Sequence, residues 1–188
     1  MHLGAARHWI CAGRMEYMTN LSEADDRDRD LAGRPRNARP RDGLGRPLPP
    51  GASGVPTTPD DLALTPAQTV AEAQRLLDDG LPFHAHEVLE AAWKAARDDE
   101  SELWKGLAQL AVGLTHARRG NAVGAPRLLS RGADRIEPFA TRPPHGIAVR
   151  ALTDWARALA ARIEREGTTH LSIDDTVPTL AARANNLP

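Results

Sequence analysis

The 188-residue sequence has one cysteine, Cys11, which excludes an intramolecular disulfide and fits a reducing compartment. It has no run of eighteen apolar residues, so nothing in it reads as a bilayer-spanning helix. Met1 to Arg14 lacks the continuous apolar stretch and small-residue cleavage site of a secretory signal, and the expected location is cytoplasmic. Met1, Met15 and Met18 can each serve as a translation start. A net charge of -1 gives the whole molecule no general attraction to nucleic acid or anionic membrane. A Gly-rich phosphate loop, a Gly-x-Ser-x-Gly elbow and the H-E-x-x-H zinc helix are all missing. With no recognisable catalytic set, the expectation is a binding module rather than an enzyme.

What is present is unevenly spread. Thr65 to Gly167 is dense in Ala and Leu, whereas 19–60 is poor in apolar residues and rich in Arg, Pro, Gly and Asp. Such a stretch cannot offset its ordering entropy by burial. The sequence therefore divides into a disordered arm over 1–62, an all-helical domain over 63–167 and a C-terminal tail over 168–188 with little fixed structure. Arg34, Arg36, Arg39, Arg41 and Arg46 make the arm either a solvated linker or a fringe that binds nucleic acid or another partner.

Within the helical part, a forty-residue offset superimposes Gly80 on Gly120, Ala85 on Ala125, Val88 on Leu128 and Leu89 on Leu129. Repetition at this period marks stacked helical hairpins. The fold class is all-α: a bundle of about five helices built on two such hairpins. Thr65-Pro66-Ala67-Gln68 is a capping box that opens the first helix, which carries Val70, Ala73, Leu76 and Leu77 on one face and stops at Gly80. The second spans about Phe83 to Arg97. The third, about Glu102 to Arg119, is apolar almost all round and should be central. Its Gly106 and Gly113 share a face and permit close approach of a neighbour. The fourth covers about Ala125 to Ile136, its start blurred by Pro126, and the fifth about Ile147 to Glu166.

On the second helix His86, Glu90 and Trp93 fall in one column, with His84 projecting away from it as a surface residue. On the third, Gln109 and His116 share a face. Polar groups in so apolar a setting need partners, so the two columns are expected to face each other. Three readings fit the resulting cluster. It is a satisfied hydrogen-bond network, or a pocket in which His86, Glu90, Trp93, Gln109 and His116 bind a small ligand or protein partner. The third reading is a metal-dependent hydrolase using His86, Glu90 and His116. A cofactor is not expected, a metal excepted under that third reading. A second copy of the chain, in a homo-oligomer, is among the partners considered.

The blocks Phe83 to Trp93, Trp104 to Ala111, and His116 through Gly120-Asn121 to Ala125 resemble the bacterial and archaeal family called domain of unknown function 309. Its pattern His-Glu-x-Leu-Glu-x-x-Trp falls on His86, Glu87, Leu89, Glu90 and Trp93. The resemblance implies a small all-helical fold and no particular activity.

Overall fold

A computed structural model describes residues 39–56 and 64–181. Among these lie five α-helices: α1 (Pro66–Asp78), α2 (Pro82–Ala95), α3 (Asp98–Arg118), α4 (Gly124–Ile136) and α5 (Val149–Glu166). Apart from isolated β-bridges, the described residues contain no extended pairing. The all-α expectation holds. The capping box is formed as the sequence implies. Gln68 N–H donates to Thr65 Oγ1 at 3.4 Å, and Thr65 N–H to Gln68 Oε1 at 2.9 Å.

The two hairpins, α1–α2 and α3–α4, turn at Gly80 and Gly120. Both glycines have positive φ, 73° and 82°, a conformation that a Cβ would strain. Their structural positions correspond: Ala85 and Ala125 are both fully buried, as are Leu89 and Leu129. Helix α3 is central, packed between α2 and α4, while α5 covers the other side of α4. The α3–α4 seam is close because it is lined by glycine. A Cβ at Gly106 would meet Ile136 Cγ2 at 2.5 Å, and one at Gly132 would meet the Gly106 carbonyl oxygen at 2.9 Å. Ladders of side chains from α1, α2, α3, α4 and α5 fill one continuous core, from Val70 through Leu107 and Leu129 to Ile163.

The structure adds detail at three places. Helix α3 starts at Asp98, four residues before Glu102, because Asp98, Asp99 and Glu100 suit the positive end of the helix dipole. The tail is fixed as far as Ala181. Leu180 is buried, its N–H donates to Gln74 Oε1 at 2.7 Å, and Gln74 Nε2 donates to the Pro178 carbonyl at 3.0 Å. Of the arm expected over 1–62, residues 1–38 and 57–62 lie outside the described residues, and 40–55 forms a bridged loop. Arg41 pairs with both Pro47 and Val55 there. Asp42 Oδ1 organises the turn by accepting from Leu44 N–H at 3.0 Å and Arg46 N–H at 2.7 Å.

Candidate functional site

Because α2 and α4 lie on different sides of α3, the two polar columns receive different partners. Gln109 accepts from Arg135 Nε of α4 at 2.9 Å. His116 Nδ1 lies 2.9 Å from Asn121 Nδ2, and an amide nitrogen can only donate, so Nδ1 is the acceptor and the proton sits on Nε2. Asn121 Oδ1 in turn accepts from Gly124 N–H at 2.7 Å, capping α4. A Cβ at Gly124 would meet His116 Nδ1 at 2.7 Å, which explains glycine there. This cap also lets α4 start cleanly at Gly124, with Pro126 in its first turn where a missing N–H matters little. Gln109 and His116 therefore serve the α3–α4 hairpin.

The α2 column behaves differently. Trp93 Nε1 donates to Ser101 Oγ at 3.2 Å, and Lys105 Nζ sits 5.0 Å above its ring, tying α2 to the start of α3. Glu90 lies between His86 and Lys94 on its own helix, with contacts of 3.4 and 3.0 Å. His86 Nδ1 is buried without a hydrogen-bond partner among the described residues. Burial lowers the His86 pKa, outweighing the carboxylate of Glu90, with Lys94 acting in the same direction as burial; the imidazole is neutral near pH 7.

His84 is not on the surface. It is 1% exposed, and neither ring nitrogen has a hydrogen-bond partner among the described residues. Burial is the main cause of its lowered pKa; Asp42 opposes the shift and Arg41 assists it. Phe83 meets both imidazoles, His84 edge-on at 5.5 Å and His86 at 6.1 Å between ring centres. The 40–55 loop lies against this end of α2. Arg41 stands 5.3 Å over the Phe83 ring while its Nη1 donates to the Gly45 carbonyl at 2.6 Å. Sequence reasoning missed His84, yet a signal existed: it precedes buried Val88 by one helical turn.

A second group also escaped the sequence reading. Glu100 Oε2 accepts from both Trp104 Nε1 at 3.2 Å and His145 Nε2 at 2.8 Å, and the two rings stack at 5.6 Å. His145 has φ of 55°, a strained backbone that this clamp holds. The His145 hydrogen bond is the chief reason the Glu100 carboxyl pKa is lowered.

The metal reading does not fit the residues. Among those described, no three His, Cys, Asp or Glu side chains are grouped so as to hold an ion, and His116 Nδ1 is engaged with Asn121. Of the arm arginines, Arg34 and Arg36 lie outside the described residues, Arg39 is exposed, Arg41 is folded onto Phe83, and Arg46 pairs loosely with Asp42 at 3.9 Å. A cleft of about 610 Å³ is lined by Glu102, Arg131, Phe139 and Arg135, the partner of Gln109, and by none of His86, Glu90, Trp93, Gln109 and His116. No helix among the described residues is long and apolar enough to cross a membrane.

No solved structure matches the chain. The Uncharacterized protein YpuF of Bacillus subtilis (strain 168) is 45% identical over 49 residues, which are 26% of this chain. The match spans 28% of that protein's own length. Residues 70–128, from α1 into the first turns of α4, match the family model of a domain of unknown function (DUF309), and that family is what this pair of hairpins resembles.

Proposed function

We propose that the chain is a helical binding module whose recognition site is the N-terminal half of α2, with His84 and His86 as its orienting groups. Glu90 supplies a carboxylate beside His86. One observation carries this reading: three imidazole nitrogens are buried with no hydrogen-bond partner among the described residues. Each unpaired buried polar group costs about 1–3 kcal/mol, and a fold keeps such a cost where a ligand repays it. A neutral imidazole offers one donor and one acceptor. The matching ligand therefore presents a donor beside an acceptor, as an amide does.

The test is a thermal-shift and NMR screen of the full chain against amides, hydroxy acids and short peptides, repeated on His84→Leu and His86→Gln. Binding that both substitutions weaken supports the site. Binding that neither substitution alters places recognition elsewhere and ends the proposal.

A further inference from the structure

The 41–47 loop occupies the start of α2 with a shape that only a particular segment could adopt. Gly45 has φ of 75°, and a Cβ there would lie 2.2 Å from Phe83 Cγ; one at Gly43 would lie 2.8 Å from Leu81 Cδ2. Two glycines thus let the backbone settle directly on Leu81 and Phe83. Arg41 adds its guanidinium to the outer face of the same ring. From α3, Arg119 Nη2 donates to the Leu44 carbonyl, and Asp42 Oδ1 pre-forms the turn. These are the components of a peptide-recognition site: an aromatic platform, a backbone latch and a folded ligand.

The occupant is incomplete. It brings Asp42 and Arg41 close enough to act on His84 electrostatically, yet leaves both ring nitrogens of His84 and Nδ1 of His86 without a hydrogen bond. A segment that satisfied them would gain roughly tenfold in affinity for each nitrogen paired.

We infer that the Leu81–Phe83–Arg119 surface is a docking site for an arginine–glycine segment of another polypeptide, and that residues 41–47 are its tethered internal ligand. A partner with the same Arg-x-Gly-x-Gly chemistry displaces the loop and reaches the imidazoles beneath. The inference rests on the reading of α2 as a recognition site only for this last step; the docking surface stands by itself.

The experiment uses the full chain with Gly45→Val, which evicts the loop from Phe83, and a fluorescent peptide of residues 40–56 added in trans. We expect the peptide to bind the variant at least about tenfold tighter than wild type, equivalent to about 1.4 kcal/mol of released competition. Diethyl pyrocarbonate labelling of His84 at pH 7.5, read by mass spectrometry, should rise in the variant and fall again when peptide is added. Equal binding to both proteins, or none to either, overturns the proposal, as does an unchanged labelling rate. Asp42→Ala removes the turn-forming acceptor from the tethered loop while leaving the docking surface intact, and it repeats both readouts should the valine variant not fold. Because neither readout involves a foreign ligand, failure here leaves the wild-type ligand screen to judge the α2 site separately.

Discussion

Replacing His84 with leucine should make the protein more stable. The buried ring carries two nitrogens without hydrogen-bond partners among the described residues; at the low end of about 1–3 kcal/mol for each, together they cost roughly 2–3 kcal/mol. Leucine removes that cost but fits the space less well, a repacking loss of up to about 1.5 kcal/mol. The net expectation is about 1–2 kcal/mol of added stability at pH 7.5. With an m-value of about 2 kcal/mol/M, the urea midpoint should move up by roughly 0.5–1 M. Acid adds a second signature. Burial lowers the His84 pKa in the folded protein, so the unfolded chain takes up the proton first, near its ordinary value of 6.5. Wild-type stability therefore falls as pH drops below about 6.5, and His84→Leu should escape that loss. Between pH 7.5 and 5 the gap between the two proteins should widen by at most about 2 kcal/mol. The assay is urea unfolding at both pH values, followed by tryptophan fluorescence. A variant less stable than wild type at pH 7.5, or a gap independent of pH, would refute the account of His84 as an uncompensated buried imidazole.

Three further outcomes are expected. Gly132→Ala gains about 1 kcal/mol of helix propensity but presses its Cβ against the Gly106 carbonyl, so overpacking of about 1–3 kcal/mol should win and lower the urea midpoint. A higher midpoint would mean the α3–α4 seam is looser than the distances say. Asn121→Ala removes the α4 cap and should cost about 1 kcal/mol by the same assay, with His116→Ala costing less because it only steadies that cap. Asp175, whose pKa is pulled down to about 2 by Arg162 and then by Ser172, holds the tail near α5. Its contribution is complete above about pH 4 and lost as pH falls towards 2. Pepsin should therefore cut 168–181 increasingly across that window, and Asp175→Asn should expose the same segment to proteases at pH 7.

The hairpins were legible because their signals are local. The capping box, the two turn glycines and the 3.6-residue stripes each lie within a few neighbouring residues, and the structure follows them. The tail was illegible because what fixes it is distant. Leu171 and Leu180 are too sparse to show periodicity, and Gln74 holds residues more than a hundred positions away. The bridged 40–55 loop escaped for a related reason: its glycines are informative only beside Phe83 and Leu81. The facing of the polar columns was misjudged through rotation of α3. Gly106 and Gly113 mark the side of closest approach, and Gln109 and His116 each follow one of them by three residues. Residues three apart share a helix face, so both belonged with the α4 seam that the glycines announced.

The repeat itself separates structural residues from functional ones. Laying α2 over α4 pairs Ala85 with Ala125 and Leu89 with Leu129, the buried contacts that both hairpins need. At the same offset His84 pairs with Gly124 and His86 with Pro126. In α4 those positions are explained by the backbone: glycine admits the His116–Asn121 cap, and proline sits in the first helical turn. In α2 the hairpin turns and packs with imidazoles there instead, although neither His84 nitrogen gains a hydrogen bond within the described structure. The architecture therefore does not require histidine at these two positions, since its sister hairpin is built without it. Gln109, His116 and Trp93 are accounted for by the partners they hold, whereas His84 and His86 carry a cost that packing alone does not return. That contrast moves the weight of the candidate site from the facing of α2 and α3 to the start of α2.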